Sequence, residues 1–258
     1  MAEDTPIVTY VALAAIVAFA WRVTGFIPTE ASLSPWWFTA EAWQAGEHYR
    51  LFTSVIAHGG PLHLVFNALA LVSLADLERR LGSLTYLGLF VAAGLGGNLL
   101  HAMVSSEPVV GASGAIFGLL GVLLALVPAT RLFFFGLPVP AAILLPGYAA
   151  LVLLVPGFES LAPIAHFAHL GGLVVGLAGA VGLAPRRAVG NLADAGIAFA
   201  GVGLIAINLE AVGITSVIQA AGQGLDAFVA LAWPSLLGLA LVGIVLAYLD
   251  DGDEPLAS

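Results

Sequence analysis

Stretches of about twenty apolar residues recur along this chain, and no other property narrows its fold so far. They fall at about residues 7–27, 57–77, 84–104, 132–155, 163–184, 195–217 and 227–249, each long enough to cross a hydrocarbon core of about 30 Å as a helix. In hydrocarbon a backbone must satisfy its own N–H and C=O groups, and a helix does so within one segment. Composition agrees: 60% of the 258 residues are hydrophobic and 9% are charged, a balance that soluble domains do not approach. The expectation is an all-α polytopic membrane helix bundle, with a six-helix core over residues 1–184 and two additional transmembrane helices with an acidic tail over 185–258. Glu3 and Asp4 stand where a signal peptide carries its basic leader, so the first segment is expected to remain as a span.

The chain has no cysteine, which excludes disulfides, thiol nucleophiles and cysteine-held metals. It has no lysine either, and a net charge of -9 argues against nucleic acid as a partner. The arginines report topology. Arg79, Arg80, Arg131, Arg186 and Arg187 fall in alternate connections, while Glu30, Glu41, Glu47, Glu107 and Glu159 fall in the others, with Arg50 as an exception. The positive-inside rule then places both termini in the cytoplasm of a multi-pass cell-membrane protein and opens Ser113 toward the outer face.

Ser113 lies in VVGASGAIFGLLG, residues 109–121, at the head of an apolar run that Pro128 stops. A helix over that run is roughly 22 Å long, too short to span. Its first N–H groups lack intrahelical partners, and with the positive end of the helix dipole they suit a negatively charged oxygen. In the second span His63 and Asn67 are four residues apart, stacked on one helix face. In the sixth, His169 precedes Gly172 and Gly176, a spacing repeated by Gly114 and Gly118 after the serine. Small residues on two helices permit close backbone approach, which would bring His169 to Ser113.

These residues supply what a serine hydrolase needs: Ser113 as nucleophile, His169 as base, and the Ser113 N–H with His63 and Asn67 as oxyanion donors. No acidic residue lies in the core spans to orient His169, so a dyad is expected, not a triad. The soluble nucleophile elbow does not fit, since Ala115 stands where that motif needs glycine. A metal site from His58, His63 and His169 would lack carboxylate partners and leave Ser113 unexplained; neither metal nor cofactor is expected. Trp36, Trp37 and Trp43 read as interfacial anchors, His101 as a solvated residue near a boundary, His166 as near the surface, and Glu210 as close to a span end.

Taken together, GASG at 111–114, HLVFN at 63–67, ERRLGS at 78–83, AHLGGLVVGL at 168–177 and the pair Tyr49–Arg50 resemble the rhomboid family of intramembrane serine proteases, over residues 7–184. The resemblance implies a six-helix rhomboid-like core that hydrolyses peptide bonds in or near the membrane. It makes Ser113 and His169 the dyad, and His63 and Asn67 part of the oxyanion hole. The substrates it implies are single-span transmembrane proteins, and the 132–155 helix with its following loop would act as a lateral gate. Phe117 stands where members often carry a tyrosine that packs under the histidine. Two alternatives are a non-catalytic rhomboid-like protein that binds membrane clients and a small-solute transporter.

Overall fold

The computed structural model describes residues 5–25, 27–134, 137–154 and 165–250. It is 80% helical with almost no sheet, an all-α polytopic bundle. Helix α1 (Ile7–Phe19) ends in a π-helical turn at Ala20–Thr24; α2 (Glu30–Leu33), α3 (Ala40–Gln44) and α4 (Arg50–Ile56) are short. Then come α5 (Pro61–Ser73), α6 (Ala75–Leu81), α7 (Ser83–Val104) and α8 (Ser113–Leu126). A hairpin of β1 (Arg131–Phe134) and β2 (Leu137–Pro140) leads to α9 (Ala141–Leu154), α10 (His166–Leu183), α11 (Pro185–Val212), α12 (Ile214–Gln223) and α13 (Leu225–Asp250).

By length and hydropathy four of the described helices can cross a membrane, or five if α4 and α5, bent by 86°, form one broken span. Two expected spans therefore need correction. The 57–77 segment does not run as one helix, because Gly59-Gly60-Pro61 separates α4 from α5 and a further break falls at Leu74. The 132–155 segment begins as the antiparallel hairpin, with Leu132 opposite Val139 and Phe133 opposite Pro138. Pro138 and Pro140 have no N–H to give a helix, so the apolar run reads as helix only from Ala141. The expected gate loop falls partly at residues 155–164, outside the described residues, as do Glu159 and the acidic tail at 251–258.

The chain divides into two compact units, residues 1–122 with 165–183, and residues 123–164 with 184–258. In the first, α5 shows how the bundle is turned inside out relative to a soluble protein. Phe66 is 68% exposed while its neighbour Asn67 is 6% exposed, so the apolar face is free for lipid and the polar face is held inside. The start of α1 has no cap of its own. Its N–H groups at Val8 and Thr9 donate instead to the Glu78 carboxylate of α6, each at 2.8 Å. The Thr9 and Ser83 hydroxyls add two more donors at 2.7 Å. Glu78 is only 1% exposed. Burial pushes its carboxyl up, but the Ser83, Thr9 and Val8 donors outweigh burial and hold it below the usual glutamate range.

The glycines of α8 and α10 meet in register. A Cβ at Gly172 would overlap the carbonyl oxygen of Gly114, and one at Gly176 would overlap that of Gly118. The two helices are thus in direct backbone contact, the close approach expected from the paired four-residue spacings.

In the second unit α11 packs against α9 and α13. Helix α13 contains Pro234, which removes one N–H from the helical ladder. Asn208 of α11 bonds beside the proline: its amide donates to the Leu231 carbonyl at 3.1 Å and accepts from the Ser235 hydroxyl at 2.8 Å. The amphipathic α12 lies between these two long helices in the chain, overlapping the end of the expected 195–217 span and the connection after it.

Candidate active site

The segment entering α8 is fixed before the helix begins. Val109 and Phe38 exchange backbone hydrogen bonds at 3.0 Å in both directions, and the Gly111 N–H donates to the Ser54 carbonyl at 2.7 Å. Ser54 is held in turn: the Asn98 amide of α7 donates to the Ser54 hydroxyl at 2.9 Å and to the Leu51 carbonyl at 3.3 Å. Gly111 adopts a φ of +110°, a conformation that side chains disfavour, and the chain then turns into α8 with Ser113 as its first residue. The connection over residues 28–56 is folded down by its own donors. Tyr49, Arg50 and Thr53 donate to the successive carbonyls of Pro35, Ser34 and Trp36. Trp36 packs edge-on against Phe19, with ring centroids 5.3 Å apart.

Ser113 and His169 lie together. The Ser113 hydroxyl and His169 Nε2 are 2.7 Å apart, within the range of a strong hydrogen bond. The Phe117 ring, one turn along α8, stacks on the His169 imidazole with centroids 4.3 Å apart and planes inclined by 6°. This ring packs flat on the imidazole and helps hold its plane. His63 and Asn67 approach from α5. A Cβ at Gly111 would lie 2.6 Å from His63 Cε1 and Nε2 and 3.5 Å from Asn67 Nδ2, so both side chains reach the backbone two residues before Ser113. All four side chains named from the sequence therefore converge on the start of α8.

Other residues stand differently from expectation. His101 is buried, not solvated, because its Nε2 is 3.0 Å from the Glu107 carbonyl of the loop that folds over it. His166 is likewise buried, its ring edge-on to His169 at 6.4 Å. Histidines at helix ends read as solvent-facing only when nothing covers them. Among the described residues no three His, Asp or Glu side chains form a group that could hold a metal, so His58, His63 and His169 do not assemble as ligands. Ser54 and Asn98 escaped the sequence reading. A buried asparagine within a span is a signal, but its partners on α4 are 44 and more positions away.

The arrangement is suited to acyl transfer. It combines a hydroxyl on a base, N–H groups at a helix start that have no intrahelical partner, and two side chains able to donate beside them. The family model of the Rhomboid domain matches residues 45–186, more than half of the chain. The rhomboid protease GluP of Bacillus subtilis is 36% identical over 150 residues, 57% of this chain and 28% of the relative. RHOMBOID-like protein 5 of Arabidopsis thaliana is 41% identical over 86 residues, 32% of this chain and 28% of the relative. Rhomboid-like protease 5 of Toxoplasma gondii is 35% identical over 137 residues, 51% of this chain and 16% of the relative. This chain thus matches less than a third of the length of each.

Proposed function

Because the chain belongs to the rhomboid family, we propose that it is an intramembrane serine protease whose substrates are single-span transmembrane proteins. Residues 1–184 form its catalytic core, and the protein lies in the cell membrane with both termini cytoplasmic.

His169 Nε2 takes the proton of the Ser113 hydroxyl as Oγ attacks the scissile carbonyl carbon. The carbonyl oxygen becomes an oxyanion, held by the Ser113 N–H, His63 and Asn67 at the positive end of α8. The protonated His169 then gives its proton to the leaving amine, the C–N bond breaks, and an acyl ester remains on Ser113. Water, deprotonated by His169, attacks that ester and returns the serine. The 2.7 Å approach of Ser113 to His169 is the observation that carries this reading.

The test is cleavage of a panel of tagged single-span proteins by the full chain reconstituted in bilayers, alongside Ser113→Ala and His169→Ala. Cleavage abolished in both folded variants supports the dyad. Cleavage that persists in Ser113→Ala overturns it. A wild type that binds spans and cuts none favours the client-binding reading.

A further inference from the structure

We propose that the turn Ala57–Gly60 fixes the tautomer of His63, so that Nε2 carries the proton and is the nitrogen that donates to the oxyanion. The inference deepens the protease reading above and rests on it. The Gly59 N–H donates to His63 Nδ1 at 3.4 Å. A ring nitrogen that accepts a hydrogen bond bears no proton, so in the neutral ring the proton sits on the other nitrogen. That other nitrogen, Nε2, is the one turned toward Gly111 and the entrance to α8. The alternative tautomer would set two N–H groups against each other on the Gly59 side. It would also present a bare nitrogen, an acceptor, to a developing negative charge.

His58 holds the turn in place and is a positioning residue. Its Nδ1 is 3.0 Å from the Ile56 carbonyl, so that nitrogen carries the proton, and its ring is 2% exposed. The ring packs 5.0 Å from that of His63. Its Nε2 is buried with no partner among the described residues, so the bond to Ile56 is the one that sets the ring's orientation. The two histidines thus carry their protons on opposite ring nitrogens, each determined by the main chain: His58 by a carbonyl, His63 by an N–H.

Gly59 permits a clean test. A Cβ there would sit 3.7 Å from His63 Nδ1 and 3.9 Å from a Val110 methyl, ordinary contacts, so Gly59→Ala keeps the N–H while Gly59→Pro removes it. The full chain in bilayers, labelled with ¹⁵N-histidine, is read by NMR, with His63 assigned by the signal lost in His63→Gln. The expected wild-type spectrum shows His63 with a bare Nδ1 and a protonated Nε2. A protonated Nδ1 overturns the proposal whatever the variants do, including a Gly59→Pro that fails to fold. On a single-span reporter, Gly59→Pro is expected to lower kcat several-fold relative to Gly59→Ala, less than the loss of a whole oxyanion donor, with KM nearly unchanged. Equal kcat in the two folded variants overturns the proposal. If the wild type cuts no reporter and Ser113 takes no fluorophosphonate label, the protease reading fails, and the wild-type spectrum still decides the tautomer.

Discussion

The cluster around Glu78 and the cluster around Ser113 are both polar and both enclosed in an apolar bundle, yet they use their hydrogen-bonding capacity differently. At Glu78 each carboxylate oxygen accepts two donors, Oε1 from Val8 and Ser83, Oε2 from the main chain and hydroxyl of Thr9. The Thr9 hydroxyl proton is used there, which leaves the Tyr86 hydroxyl, 3.3 Å away, to donate to Thr9. Around Ser113 the groups are aimed at the start of a helix: the hydroxyl meets one nitrogen of His169, Asn67 gives one amide N–H to the His63 carbonyl at 3.1 Å and holds a second, and both side chains reach the Gly111 backbone. A saturated buried network specifies structure, whereas donor groups gathered at a helix start suit a charge that appears only during reaction. Serine occurs in both places, and what its hydroxyl meets separates the roles: a carboxylate at Ser83, an imidazole nitrogen at Ser113.

That contrast is broken most severely by Ser113→Ala. Reporter cleavage should fall at least about 10³-fold, while the melting temperature in detergent stays within about 2 °C of wild type. Next comes Asn67→Ala, which removes one donor and should lower kcat about 10²-fold with little change in KM. Glu78→Ala should act in the opposite sense, costing on the order of 2–3 kcal/mol in denaturant unfolding because buried donors lose their acceptor. The fraction that remains folded should keep its kcat.

The Glu78 cluster also has a pH signature. Its carboxyl is held below the usual range in the folded state, so its contribution is present at neutral pH and is lost as pH falls through the ordinary glutamate range and then the depressed value. Unfolding followed from pH 7 to pH 4 should show wild type losing stability more steeply than Glu78→Gln; parallel curves would remove Glu78 as the cause. The smallest effect is expected at Phe117→Leu, which gives up a ring stack worth about 1 kcal/mol. Cleavage should fall a few-fold, and a change of 10²-fold would mean that the ring does more than hold the imidazole plane.

The architecture was legible wherever hydrophobicity alone decides. Segments 84–104, 163–184 and 195–217 overlap α7, α10 and α11, because a long apolar run in lipid has no conformation but helix. Hydropathy failed at 132–140, where the run is equally apolar but Pro138 and Pro140 withhold donors, and at α12, whose residues alternate too briefly to read as a span. Around the site, Ser113 and the glycine spacings could be read because local chemistry makes them unusual. Ser54, Asn98, His58 and Gly59 could not. Their parts are played through carbonyls and N–H groups, which every residue has, and only the fold determines which ones meet. The burial of His101 depends likewise on a loop whose path no periodicity encodes.

The glycine contacts between α8 and α10 bear on how the protein responds to its surroundings. At Gly114 and Gly172, and again at Gly118 and Gly176, main chain rests on main chain, with no rotatable side-chain bond at either contact. Side-chain contacts breathe by changing rotamers; these glycine contacts have no rotamers to change. The spacing of the two backbones that carry Ser113 and His169 therefore behaves as a hard stop, set by van der Waals radii, and should vary little when bilayer thickness, lateral pressure or temperature alters the looser packing elsewhere.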